Sequence, residues 1–214
     1  MPYNCCEITD NAFTEEEAKS QLKDYRRKGP ANQTMLIIAA IRSLNLKNAD
    51  LLDIGGGIGV IHHELLEDVA REAMHVDASS AYLKFAKEEA NRRGHGERVS
   101  YIHADFTDVA QDLPNADIVT LDRVICCYPD FRGLLKAAAE HGMRAIALTY
   151  PREVWFLKIG FKIINFFQRL RKDPFRIFLH PVAEIDRILR SEGFEQVSLR
   201  RLFVWEMVCY QRNG

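Results

Sequence analysis

Leu51-Leu52-Asp53-Ile54-Gly55-Gly56-Gly57-Ile58-Gly59 reads as a short buried strand, a glycine turn and the start of a helix. Glycines at such a turn admit φ > 0 and let a ligand approach backbone N–H groups closely. Loops of this kind serve several cofactors, and spacing discriminates among them. A P-loop needs Gly-Lys-Ser/Thr, and none follows. A dinucleotide fingerprint, Gly-x-Gly-x-x-Gly, would put its last glycine at Val60 counted from Gly55, or at His62 counted from Gly57, so both registers fail. The pattern present is Asp-x-Gly-x-Gly-x-Gly, with the acid on the strand leading into the turn.

Outward from the loop the chain alternates. Short apolar runs at 51–54, 73–76, 99–103, 118–121 and 145–149 have the character of strands buried on both faces. Helical stretches lie between them at 60–71, 79–93 and 130–140. This alternation predicts βαβ units with right-handed crossovers, hence a doubly wound, mostly parallel α/β sheet. Residues 181–191 predict a further helix ended by Gly193. The runs 195–202 and 203–211 are too close in sequence for a helical crossover, which predicts an antiparallel hairpin. Ahead of the first strand, 5–48 is helical: Thr14 is placed as an N-cap before Glu15, Glu16 and Glu17, and Gly29-Pro30 breaks the segment.

Acids mark the ends of successive strands. Asp77 lies 22 residues after Gly55 and closes the second strand, in His75-Val76-Asp77-Ala78-Ser79. Asp105 follows the third strand in Ala104-Asp105-Phe106, and Asp122-Arg123 follows the fourth. Open α/β sheets bind ligands at the carboxyl edge, and a carboxylate on the neighbouring strand can accept hydrogen bonds from both hydroxyls of a ribose. Taken singly, Asp77 is an ordinary helix cap and Asp105 a turn residue. In this order they are specific.

Composition narrows the function. A chain of 214 residues predicts one domain, and 47% hydrophobic residues suffice for one core. Lys plus Arg number 29 against 30 Asp plus Glu, so no basic field favours nucleic acid. Five cysteines, as Cys5-Cys6, Cys126-Cys127 and Cys209, give no zinc spacing and no disulfide framework, and no metal is expected. No apolar leader opens the chain and no run of 18 apolar residues occurs, which predicts a cytoplasmic protein.

One segment stands apart. Residues 153–172 carry Trp155, Phe156, Phe161, Phe166 and Phe167 among aliphatic residues, with Lys158, Lys162, Arg169, Arg171 and Lys172. This is either core or a lid over a large apolar acceptor, and the lid accounts better for the basic residues. Those cations could meet an acidic acceptor or a lipid headgroup in a transient membrane-surface contact.

The ordered loop and acids resemble class I S-adenosylmethionine-dependent methyltransferases from Leu51 onward. The resemblance implies a Rossmann-like seven-stranded sheet whose last strand is antiparallel. The expected organisation is one domain over 1–214: N-terminal helices to 48, a cofactor-binding core over 49–150, a helical lid insertion over 151–180, then the last helix and hairpin over 181–214. S-adenosylmethionine is the implied cofactor. Gly55, Gly56, Gly57 and Gly59 would pack on its methionine part with Asp53 supporting the loop. Asp77 and Ala78 would take the ribose, Tyr82 would stack on adenine with Asp105 and Phe106 at its amino edge, and Asp122 and Arg123 would border the methionyl end.

The second half further resembles magnesium-protoporphyrin IX O-methyltransferases, through Leu121-Asp122-Arg123-Val124-Ile125-Cys126-Cys127-Tyr128-Pro129, Thr149-Tyr150-Pro151, the aromatic segment and Arg176-Ile177-Phe178-Leu179-His180. Those enzymes carry His before the Tyr-Pro pair, where this chain has Cys127. The expected activity is methyl transfer, with O-methylation favoured, to a bulky hydrophobic small molecule such as a tetrapyrrole, quinone, polyketide or isoprenoid. Tyr128, Tyr150 and His180 are the candidate catalytic groups at the rim. Two other classes stay open: a nicotinamide-dependent oxidoreductase, disfavoured by the missing glycine and the hairpin, and a cofactor-binding regulatory protein without activity.

Overall fold

The computed structural model describes residues 5–212; residues 1–4 and 213–214, the ends of the expected domain and the first residues of the leader reading, lie outside it. In chain order the elements are α1 (Cys5–Ala12), α2 (Glu15–Lys28), α3 (Asn32–Ser43), β1 (Ala49–Ile54), α4 (Val60–Leu65), β2 (Ala70–Asp77), α5 (Ser80–Arg93) and β3 (Val99–His103). They continue with α6 (Phe106–Val109), β4 (Ala116–Asp122), α7 (Phe131–His141), β5 (Gly142–Pro151), α8 (Trp155–Leu170), α9 (Val182–Ser191), β6 (Phe194–Arg201) and β7 (Trp205–Arg212).

The caps explain several boundaries. Thr14 Oγ1 accepts from Glu17 N at 3.3 Å, three acids occupy the first turn of α2, and Arg26, Arg27 and Lys28 occupy its last, each complementing the helix dipole. Ser79 caps α5 in the same way, accepting from Tyr82 N at 3.3 Å. The helix expected over 60–71 is shorter than the pattern suggests: α4 ends at Leu65, and β2 begins at Ala70. Leu65, Leu66, Val69 and Ala70 suit a buried helix face or a buried strand equally. The sheet decides, because Val69 O accepts from Ala49 N at 3.1 Å and Ala70 pairs with Ala49 in the ladder.

The sheet has seven strands in the order β3-β2-β1-β4-β5-β7-β6. Strands β3, β2, β1, β4 and β5 are parallel to one another, and β7 runs antiparallel to both β5 and β6. This is the doubly wound α/β sheet with a terminal hairpin that the sequence predicts. One face is covered by α7 and α9 around Val119, Leu121, Ile146 and Leu189, the other by α3 and α4 around Ile37, Ile41, Leu51 and Ile118. A smaller cluster seats α2 on α5 through Leu22, Tyr25, Tyr82 and Phe85. The aromatic segment forms α8, and none of its residues is buried.

Candidate functional site

Strand order reverses between β1 and β4, the two strands from which the chain departs in opposite directions across the sheet. Loops leaving their carboxyl ends diverge there and open a crevice, the usual ligand position in such sheets. A cavity of about 630 Å³ occupies it, a size that suits a small-molecule ligand. Its floor is Gly55, Gly56 and Gly57 with Asp122 and Arg123; Gln21, Tyr25, Lys28 and Thr34 from α2 and α3 wall it.

Asp53 is fully buried beneath this floor. Its Oδ1 accepts from Thr120 Oγ1 at 2.7 Å and its Oδ2 from His62 Nδ1 at 3.0 Å, while burial pushes its carboxyl above the usual range. Gly56 is dictated by close approach, since a Cβ there would land on the Asp53 carboxylate and the His75 ring. Gly57 holds φ +59°, and its N–H donates to Asp77 Oδ2 at 2.9 Å. Asp77 Oδ1 accepts from Ser79 N at 2.8 Å. One carboxylate thus clamps the glycine loop to the turn after β2, at the place where the resemblance puts a ribose.

Other expected cofactor residues serve structure first. Tyr82, expected on the adenine, is buried behind the loop: its ring lies 5.6 Å from Phe13, and its hydroxyl accepts from Gln21 Nε2 at 2.5 Å. Asp105 caps α6 through Thr107 N at 3.0 Å and accepts from the Tyr128 hydroxyl at 2.8 Å. Phe106 turns its ring into the core, edge-on to His141 at 5.7 Å. The carbonyl of Ala78 accepts from His103 Nε2 at 3.1 Å.

Each of the three candidate catalytic groups has protein partners of its own. Tyr150 is buried beside Glu206, its hydroxyl donating to Oε1 at 3.2 Å, and burial with that carboxylate raises its phenol. His180 stacks on Phe131 at 4.1 Å and donates through Nε2 to Ile125 O and Tyr128 O, each at 3.0 Å; burial lowers its pKa. Burial likewise raises the Tyr128 phenol, which leans on Asp105. None of the three lines the glycine-loop cavity.

Thr34 was not singled out in the sequence. It donates from Oγ1 to Asp122 Oδ2 at 2.6 Å across 88 positions, and Thr149 Oγ1 donates to Asp122 Oδ1. Arg123 sits at φ +62°, a conformation rare for a residue with a side chain, held by Arg123 N donating to Thr149 Oγ1 at 2.9 Å. The Gly29-Pro30 break was the available signal, because it turns α3 onto the sheet edge. Also absent from the sequence reading is a buried histidine group behind the loop. His62 packs 4.3 Å from His63 and 4.9 Å from His75, with His95 6.2 Å from His63. Neither ring nitrogen of His63 has a partner, and burial lowers the pKa of His62, His63 and His95.

Residues 51–142 match a family model described as a methyltransferase domain. Among solved structures, magnesium protoporphyrin IX methyltransferase from Synechocystis PCC 6803, crystallised with S-adenosylhomocysteine, is similar at TM-score 0.72 and 18% identity, over 98% of this chain and 100% of that one. An O-methyltransferase family protein from Burkholderia thailandensis is similar at TM-score 0.71 and 15% identity, over 95% of this chain and 64% of the other. A [4+2]-cyclase is similar at TM-score 0.63 and 14% identity, over 84% and 80%. No curated protein matches the sequence.

Proposed function

We propose that the chain is a class I S-adenosylmethionine-dependent methyltransferase, a reading supported by the methyltransferase-domain match over 51–142 and the shared fold, and that it transfers the methyl group to a bulky, hydrophobic small molecule at oxygen. The observation that carries this reading is the cavity at the β1/β4 reversal, floored by Gly55–Gly57 and flanked by the Asp77 clamp. The residues fit the cofactor. Asp77 would accept the ribose hydroxyls once they displace Gly57 N, Arg123 and Lys28 would offer cations to an amino-acid carboxylate, and Gln21 and Tyr25 line the cavity. S-adenosylmethionine supplies a methyl on a sulfonium, ready for in-line displacement, so the protein contributes chiefly alignment and exclusion of water.

The choice of oxygen is supported by the lack of an activated base, both at the cavity and among the candidate groups outside it. Asp122 already receives Thr34 and Thr149 hydroxyls on its two oxygens, and the phenols of Tyr128 and Tyr150 are raised rather than activated. An acceptor that needs no proton removed, such as a carboxylate oxygen, suits a site so equipped. The similarity in fold to a magnesium protoporphyrin IX methyltransferase supports trying tetrapyrrole carboxylates first among such acceptors.

Calorimetric titration with S-adenosylmethionine, S-adenosylhomocysteine and NAD tests the cofactor. Transfer of a labelled methyl group to a panel of tetrapyrrole, quinone, polyketide and isoprenoid acids then tests the acceptor. Binding of NAD without either sulfur ligand would refute the first step. Labelling of amines in preference to carboxylates would refute the second.

A further inference from the structure

Of the eleven large apolar side chains that stand exposed among the described residues, seven are on α8. At about 100° per residue, Trp155, Ile159, Ile163, Phe166, Phe167 and Leu170 share one arc of about 120°. Their exposures run from 51% to 74%. The adjoining arc carries Lys158, Lys162 and Arg169 in a single row. The opposite side is turned to the body, where Asn165 exchanges two hydrogen bonds with the Ile177 backbone at 2.7 and 3.0 Å. The apolar stripe therefore faces outward because its helix is tethered from behind. Phe203, in the turn between β6 and β7, extends the stripe: it is 78% exposed and its ring stacks on Phe156 at 5.4 Å.

Charge distinguishes the occupants such a face could take. From Trp155 to Lys172 there are five cations and no acid, in a chain whose formal net charge is −1. Only Lys158 is paired, with Glu153 at 2.9 Å; Lys162, Arg169, Arg171 and Lys172 have no carboxylate within ion-pair distance among the described residues. A second copy of the chain would bring two such cationic rows together across a two-fold contact, which like charge opposes. The cavity in the crevice draws no wall residue from α8, so a ligand bound there leaves the stripe uncovered. A surface with an apolar interior and anionic headgroups meets both the stripe and the row. Sixteen residues of helix span about 24 Å, short of a hydrocarbon core of about 30 Å. No helix among the described residues is long and apolar enough to cross a membrane.

We propose that α8, with Phe203 beside it, docks the protein flat onto an anionic lipid bilayer, its apolar stripe at the acyl boundary and its lysines and arginines among the headgroup phosphates. The face is separate from the glycine-loop cavity, so this stands or falls independently of methyl transfer.

Flotation with vesicles of phosphatidylcholine, alone or with about one third phosphatidylglycerol, tests it, with Trp155 emission as a second readout. The mixed vesicles should bind the protein and shift Trp155 to the blue, with affinity at least about tenfold above that for phosphatidylcholine alone and falling steeply with salt. The double variant Lys162→Glu/Arg169→Glu, and separately Phe166→Ser/Leu170→Ser, should each lose about tenfold or more in vesicle affinity. All four side chains are exposed, so melting temperature and S-adenosylmethionine binding should match the parent. Equal affinity for neutral and anionic vesicles, or variants that float like the parent, would overturn the proposal. So would a dimer in sedimentation that the serine variant dissolves, because the stripe would then belong to a second copy.

Discussion

Acid should loosen this fold through the histidines behind the glycine loop, and replacing one of them should remove a calculable share of the effect. His62 and His63 are fully buried, and burial holds both imidazoles neutral by lowering their pKa values. In the unfolded chain each titrates near pH 6.5. Above that pH both states are neutral and nothing is lost; below it the unfolded chain takes up protons that the fold refuses. Stability then falls by about 1.4 kcal/mol per pH unit for each excluded proton. Between about pH 6.5 and about pH 5 that is about 2 kcal/mol per histidine, about 4 kcal/mol for the pair. Asp53 works in the opposite sense. Its carboxyl is raised by burial, so the fold binds that proton before the unfolded chain does and recovers part of the loss. Glu89 is silent in this window: burial favours its neutral form, but hydrogen bonds from Arg92, Arg26 and Arg93 outweigh that and bring its pKa down to about 2. For His62 and His63 together the loss is at most about 4 kcal/mol, reduced by what Asp53 recovers, and that is a large part of the 5–15 kcal/mol typical of a domain. His63→Phe is the informative variant, since neither ring nitrogen of His63 has a partner to lose. Urea unfolding followed by circular dichroism, repeated across this pH range, should give His63→Phe a slope shallower by about 1.4 kcal/mol per pH unit. Parallel pH profiles for parent and variant would refute the argument.

Asp77→Ala should weaken S-adenosylmethionine binding by about 1–3 kcal/mol in calorimetry, through loss of the charged acceptor and of the clamp on Gly57 N. Unchanged affinity would leave Asp77 a loop clamp only. Gly56→Ala should destabilise the fold by about 1–3 kcal/mol in urea, because the new methyl would collide with the buried Asp53 carboxylate. Tyr150→Phe should cost about 1 kcal/mol of stability for the lost bond to Glu206 while leaving methyl transfer near the parent rate. A hundredfold fall in rate at unchanged stability would return Tyr150 to the chemistry.

Much of the scaffold was legible because parallel strands buried on both faces appear as bare apolar runs, as in 118–121, and because turns and caps are local. The positions of the glycine loop and of the acids at 77, 105 and 122 were legible for the same reason: each sits within a few residues of a strand end, and a strand end is visible in sequence. The boundary of α4 was not, since Leu65 to Ala70 satisfies two periodicities and pairing with Ala49 selects the strand. The roles of Tyr82, Phe106 and Tyr150 were not legible either. A residue near a strand end can face the crevice or the core, and only neighbours distant in sequence (Phe13, His141 and Glu206) show which way it turned.

By itself the sequence determined the α/β alternation, the terminal hairpin, the place of the glycine loop and the cationic, aromatic character of 153–172. These are matters of short-range pattern, and local dihedral and burial preferences settle them. Tertiary structure alone decided the β1/β4 reversal that opens the crevice, the arrival of Thr34 on Asp122, the packing of the four buried histidines against one another and the outward face of α8. Periodicity states that a helix has an apolar side; which surface that side meets depends on contacts made across the whole chain.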